Sequence, residues 1–172
     1  ATGIITTAGF ADVLEMRRRD RPNTWGLWGD FVPIVERDMR LEVAERTGAD
    51  GTIVQEVDQA EVTAQAQALL AAGAEACCIA FINSYANDQN ERLAFEAVKL
   101  VWPNDHITSS AELLPEVREF ERTSTATINA YLQPVVGDYI ERLELALTDG
   151  GFAGRFFIVQ SNGGVMTSTA AR

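Results

Sequence analysis

Glu112, Glu116, Glu119 and Glu121 crowd the stretch "ELLPEVREFERT", with Arg118 and Arg122 among them. Paired carboxylates perform general acid–base work when burial separates their pKa values, and an arginine fork holds carboxylates or phosphates. Directly after them come Thr123, Ser124, Thr125 and Thr127, where Leu, Glu or Lys would form helix better. Hydroxyls concentrated in a segment of helical period read as a face that meets polar ligand or partner atoms. Close helix-to-helix packing is the competing reading. On a helical wheel Val117, Phe120, Ile128, Tyr131, Leu132 and Val135 share a broad apolar face, which also takes in Ser124 and Thr127. Glu119, Arg122, Thr123, Ala126 and Gln133 lie opposite. Glu116 and Glu121 read as the acidic start of a helix, favoured by its dipole.

A second candidate is Ser161-Asn162-Gly163-Gly164. A glycine pair after a strand lets backbone N–H groups approach an anion or a developing oxyanion, although an ordinary strand-to-helix turn would use the same residues. It is not a phosphate loop of the GxxxxGK[ST] kind, because no lysine follows. Cys77 and Cys78 are adjacent, and a bridge across one peptide bond is strained. They read as small buried hydrophobes in a reducing compartment, the cytoplasm. With His106 the sole histidine, no zinc spacing exists and no metal ligand set is expected.

The elements that must position these residues follow from period and punctuation. Gly3 to Thr7 is a short β-branched strand, and "AGFADVLEM" has helical spacing. Arg17 to Pro33 is a long loop carrying Trp25 and Trp28, either a partner anchor or a segment packed elsewhere in the protein. "MRLEVAERTGADGTIVQEVD" reads as a β-hairpin turning at Ala49-Asp50-Gly51. Asp58 with Glu61, and Asp88 with Glu91, read as capping boxes opening two helices. Between those helices "EACCIAFI" is a continuous apolar strand of the kind covered on both faces. "HITSS" is a strand, Leu113 to Asp149 is helical with Pro134 inside, and "RFFIVQ" is a final buried strand.

Strands alternating with helices imply an α/β fold with a mostly parallel sheet, flanking helices and one β-hairpin. Ligands collect beyond the carboxyl ends of such strands. That places "INSYAND", "SSAELLPE" and "SNGGVM" at one polar sheet edge.

The chain has 172 residues, nearly half hydrophobic, and a net charge of −11. An acidic surface of that size disfavours nucleic-acid backbones and anionic membranes as partners. No apolar run approaches the ~20 residues that span a bilayer. Starting in mid-strand at Ala1 and stopping in a first helical turn at Arg172, it reads as an internal piece of a longer protein. Residues 1–35 would be the end of an N-terminal domain and the long loop; residues 36–172 would be the hairpin and α/β core.

Several motifs carry a family resemblance. "GFADVLEMRRRDRP" fits a G-F-x-D-x-L-x-x-x-R-x-x-R-P run through Gly9, Phe10, Asp12, Leu14, Arg18, Arg21 and Pro22. "MRLEVAERTGADG", "INSYAN", "LLPEVREFERTSTATINAYLQPVV" and "VQSNGGVM" follow in order. End to end, the chain resembles the interior of the hydantoinase A/5-oxoprolinase family, which includes acetone carboxylase relatives. The resemblance implies an actin-like/sugar-kinase-type ATPase fold. It also implies ATP- and Mg²⁺-dependent opening of a five-membered cyclic amide through a phosphorylated carbonyl, and a hydantoinase B-type partner subunit. A ketone carboxylase subunit and a non-catalytic module binding that partner are the alternatives.

The family's D-x-G-G-T-x-x-D motif is expected ahead of Ala1, and a second glycine-rich segment beyond Arg172. The piece alone is therefore expected neither to bind ATP nor to turn over. The family's N-P-x-H-E pattern reads Asn87-Asp88-Gln89-Asn90-Glu91 in this chain, which removes a potential metal ligand. Glu119, Arg122 and Thr123 are the candidate catalytic residues, with Asn129, Ser161, Asn162, Gly163 and Gly164 lining the substrate or nucleotide cleft.

Overall fold

The computed structural model describes residues 1–19, 32–161 and 163–171. Arg21, Pro22, Trp25, Trp28 and Asn162 lie outside the described residues. The chain divides into two compact units, Ala1–Tyr131 and Leu132–Arg172.

In the first unit, β1 (Thr2–Thr7) is buried along its whole length. Residues Val13–Arg19 form 3-10 helix where the spacing predicts an α-helix. β2 (Arg40–Val43) pairs parallel with β1, Ile4 opposite Arg40. β3 (Arg46–Thr47) and β4 (Ile53–Gln55) form a separate small antiparallel pair. Its turn is closed by Gly48 N–H on Thr52 O at 2.8 Å and by Gly51 at φ 83°, a conformation glycine adopts without strain. The hairpin predicted from Met39 onward is thus half correct: Leu41 and Val43 belong to the parallel sheet. Arg40 explains the difference, because this nominally polar position is buried and its guanidinium donates to the Val35 carbonyl at 2.9 and 3.0 Å.

α1 (Gln59–Ala71) starts at Asp58, whose carboxylate accepts from Ala60 N–H at 2.9 Å. Glu61 does not complete a capping box; it accepts from Ala44 N–H instead. β5 (Ala76–Ala80) is the buried strand expected from "EACCIAFI", and α2 (Gln89–Lys99) follows it. β6 (Ile107–Ser109) completes a four-stranded parallel sheet of order β2-β1-β5-β6. Two short steps follow: α3 (Ser110–Leu113), then irregular chain through Pro115, so that α4 (Glu119–Asp149) begins later than the period predicts.

Ile4, Ile5, Val62, Leu69, Ile79, Val98, Ala126 and Ala130 belong to one core cluster, built from both helical flanks and the sheet between them. Each large aliphatic side chain there stabilises by about 1.5–3 kcal/mol.

In the second unit, α4 continues through Pro134. β7 (Phe157–Val159) and β8 (Val165–Thr167) form an antiparallel pair, and α5 (Ser168–Ala171) ends the described chain. "RFFIVQ" is therefore an arm of a hairpin with exposed Phe157 and Val159, not a buried strand of the parallel sheet.

Candidate functional site

The carboxyl ends of β1, β5 and β6 meet the first turn of α4, and buried polar groups gather there. Arg122, in that turn, is 0% exposed. Its Nε donates to Ser110 Oγ at 3.3 Å, Nη1 to the Glu116 carbonyl at 2.6 Å and Nη2 to the Phe81 carbonyl at 2.9 Å. Nη2 also pairs with the Glu119 carboxylate. The guanidinium carbon lies 5.6 Å from the centre of the Tyr85 ring. An arginine so engaged holds the protein's own carbonyls and the neighbouring Glu119 carboxylate.

Glu119 differs. Its side chain is 24% exposed, its Oε1 accepts from Asn83 N–H at 3.0 Å and its Oε2 from Arg122. Burial raises its pKa, while the Asn83 amide and Arg122 oppose the rise. Asn83 has φ 59°, the only positive φ outside glycine among the described residues, and its Nδ2 donates to the Thr47 carbonyl at 2.9 Å. A strained residue just past a strand end is a common mark of functional loops.

Two acidic residues for which the sequence predicts no site role are buried at the same edge. The spacing predicts a capping role for Glu91, yet Asp88 makes no side-chain cap. Instead Glu91, 0% exposed, turns inward. Its Oε1 accepts from Ser109 Oγ and Ala111 N–H, both at 2.8 Å, and its Oε2 from Phe81 N–H and Ser110 Oγ, both at 3.1 Å. Glu45 accepts from the Thr7 hydroxyl and, at 2.8 Å, from Asn90 Nδ2. Burial raises the Glu45 pKa against those two hydrogen bonds. Asn90 also donates to Gln55 O at 2.9 Å and accepts from Val57 N–H at 3.2 Å. The position where the family pattern carries histidine is thus filled by an amide spanning three segments. The available signal was a Ser-rich strand exit paired with an acidic first helical turn, but helix capping explains that pattern equally well.

The hydroxyl-rich stretch has a structural answer. Thr123, Ala126, Thr127 and Ala130 are buried, and Thr127 Oγ1 donates to Cys78 Sγ at 3.9 Å. These small residues face the sheet, so this part of α4 packs on strands rather than on another helix. Asn129 Nδ2 donates to Thr108 Oγ1 at 3.0 Å and pins the same helix to β6. The wheel's apolar face is the exposed one: Val117, Ile128 and Tyr131 are 63%, 43% and 54% exposed. Cys77 and Cys78 are buried free thiols, with burial pushing Cys78 up to about 12.

Ser161, Gly163 and Gly164 lie in the second unit, in the turn joining β7 to β8. Gly163 N–H closes on the Gln160 carbonyl at 2.9 Å and Gln160 N–H on the Gly164 carbonyl at 2.8 Å, with Gly163 at φ 87°. The turn is a hairpin rather than a strand-to-helix exit, and the Gly163 amide expected to face an oxyanion is already engaged.

A groove of about 580 Å³ opens beside β6, lined by Asp88, Arg92, Phe95, Glu96, Ser109 and Glu112. Among the described residues no group of three or more His, Cys, Asp or Glu could hold a metal ion. Of the turn glycines, Gly51 and Gly163 already donate their amides to the Gly48 and Gln160 carbonyls, so neither offers a free N–H to a phosphate. No described helix is long and apolar enough to cross a membrane.

Comparison with known proteins agrees with this architecture. The family model described as "Hydantoinase/oxoprolinase N-terminal region" matches residues 1–101, and that described as "Hydantoinase/oxoprolinase" matches residues 122–172. The chain belongs to the hydantoinase/oxoprolinase family. It is 38% identical over 163 residues to an uncharacterized protein of Methanocaldococcus jannaschii, covering 94% of this chain and 24% of that one. It is 31% identical over 173 residues to the caprolactamase subunit alpha of Pseudomonas jessenii, covering 99% of this chain and 25% of that one. The crystal structure of the ATP-dependent caprolactamase from the same organism superposes with a TM-score of 0.87 at 30% identity, over 97% of this chain and 25% of that chain. A nucleotide-free acetone carboxylase structure gives 0.83 at 24% identity, over 99% and 26% of the two chains, a likeness of fold alone. The architecture is the actin-like, sugar-kinase-type one expected from the sequence. The chain spans about a quarter of the length of these relatives.

Proposed function

We propose that the full-length protein is an ATP-dependent hydrolase opening a five-membered cyclic amide of the hydantoin or 5-oxoproline type, and that this chain supplies its general base. The observation that carries the reading is Glu119: a carboxylate at the carboxyl edge of a parallel sheet, partly open to solvent, with its pKa raised by burial. A carboxylate whose pKa burial raises is a stronger base than a free one, and it can accept a proton from water and release it again. Water would attack the ring carbonyl carbon as its proton passes to Glu119. The carbon–nitrogen bond then breaks and the same proton goes to the departing ring nitrogen. Arg122 fixes the carboxylate, Thr123 seats the turn on the sheet and Asn129 holds α4 on β6. ATP with Mg²⁺, held by other parts of the full-length protein, would supply the phosphoryl group that activates the ring carbonyl; Glu119 would supply the proton transfers alone. Relatives named as alpha, beta and gamma subunits support a partner subunit, which we assign to the B type.

The test uses the full-length protein co-purified with a B-type subunit. ADP release is measured with 5-oxoproline, hydantoins, larger lactams, and ketones with bicarbonate. The expected result is ADP release coupled to ring opening of a cyclic amide, with Glu119→Gln lowering kcat by about 100-fold or more. Coupling only to ketone and bicarbonate, or an unchanged kcat in Glu119→Gln, overturns the reading.

A further inference from the structure

Phe81 is held from both sides. Its N–H donates to Glu91 at 3.1 Å and its carbonyl accepts from Arg122 at 2.9 Å. Ser110 closes the ring, donating to Glu91 at 3.1 Å and accepting from Arg122 Nε at 3.3 Å. One hydroxyl and the backbone of one residue thus connect a buried carboxylate on α2 to a buried guanidinium on α4. That guanidinium in turn holds Glu119. Glu91, Ser110 and Arg122 are all 0% exposed, so the connection is dry and cannot be replaced by bulk water.

We propose that Glu91 is a positioning residue: through Ser110 and the Phe81 backbone it orients Arg122 and so sets the direction of the Glu119 carboxylate. The inference rests on Glu119 acting as the general base. Its chemistry is specific, because each oxygen of Glu91 accepts one backbone N–H and one hydroxyl. A hydroxyl can rotate to suit an amide, but a backbone N–H cannot. Glutamine in either orientation would therefore oppose its NH₂ to Ala111 N–H or Phe81 N–H. Only a carboxylate satisfies all four donors. Like the outer groups that orient a metal's ligands, Glu91 would act without meeting substrate.

Two variants of the full-length protein test this, Ser110→Ala and Glu91→Gln, with Glu91→Asp as the conservative comparison. Ser110→Ala removes the hydroxyl link and leaves every backbone donor in place. Two readouts are taken. The first is kcat and KM for ring opening. The second, independent of turnover, is the rate of carbodiimide-driven amidation of Glu119 across pH, read by peptide mass spectrometry. The expected result for Ser110→Ala is a kcat lowered by about tenfold with KM for ATP unchanged. Its Glu119 amidation should be faster, with a displaced pH profile, and Glu91→Asp should recover part of what Glu91→Gln loses.

Folded Ser110→Ala and Glu91→Gln proteins with wild-type kcat and wild-type Glu119 labelling would overturn the proposal. If the wild-type protein opens no cyclic amide, the functional reading fails and the labelling profile alone decides the positioning claim. If Ser110→Ala alters labelling but leaves kcat unchanged in an active enzyme, Glu91 does not position a catalytic group and the claim also falls.

Discussion

The carbonyl oxygen of Phe81 accepts a hydrogen bond from Nη2 of Arg122, 41 positions further along the chain, at 2.9 Å. The contact ties the exit of β5 to the first turn of α4, and it places a guanidinium where water does not reach. Removing the charge leaves the Phe81 and Glu116 carbonyls and the Glu119 carboxylate short of a donor. Arg122→Met in the full-length protein is expected to cost about 3 kcal/mol, measured as a lowered urea midpoint. Arg122→Lys should recover only part of that, because one ammonium cannot span acceptors arranged for a planar fork.

Glu45 gives a dependence on pH whose sign is fixed. Its folded pKa is raised above the ordinary value of 4.5, chiefly by burial. The protonated form is therefore favoured by folding. This contribution is fully present below the unfolded pKa and is lost as pH rises through the folded one. At neutral pH the buried carboxylate costs stability. Glu45→Gln, which keeps an acceptor for Asn90 and carries no charge, is expected to raise the melting temperature at pH 7. The gain over wild type should shrink as pH falls toward 4.5. A gain that grows on acidification would contradict the assignment.

Asn83 separates strain from hydrogen bonding. At φ 59° a β-branched residue is strained, and Asn83→Val should destabilise by about 1–3 kcal/mol. Asn83→Gly relieves the backbone and loses only the bond to Thr47 O, for about 1 kcal/mol. Chemical denaturation of the two variants should rank them in that order.

Gly3 on β1 lies directly against Leu69 of α1. A Cβ at this position would stand 2.7 Å from both methyl carbons of Leu69, itself 1% exposed. Gly3→Ala should cost about 1–3 kcal/mol by overpacking. Most of that cost should vanish in a Leu69→Ala background, so a double-mutant cycle is expected to show strong coupling between the two sites.

Much of the scaffold was legible in the sequence, for reasons these residues make plain. A continuous apolar run such as "ACCIA" reads as a strand covered on both faces, and Asp58 opens α1 by local backbone chemistry. Two of the three polar loops placed at one sheet edge, "INSYAND" and "SSAELLPE", do leave the parallel sheet after β5 and β6, while "SNGGVM" turns a separate hairpin. Local signals misled where two explanations share one pattern. Glu91 has the spacing of a capping residue, and Arg40 has the spacing of a solvent-facing strand residue. Both are buried because partners far along the chain satisfy their charge or donors.

What the sequence determined by itself was the alternation of elements and the mostly parallel sheet. Which side of α4 turns inward was decided only by tertiary structure. Period ranks faces by apolarity, and on that measure Val117, Ile128 and Tyr131 should have been buried rather than Arg122 and Thr123. The order reverses because carbonyls and hydroxyls presented by the ends of β5 and β6 satisfy the guanidinium. Burying a charge is costly without such partners and feasible with them. Those partners lie beyond the reach of any local pattern.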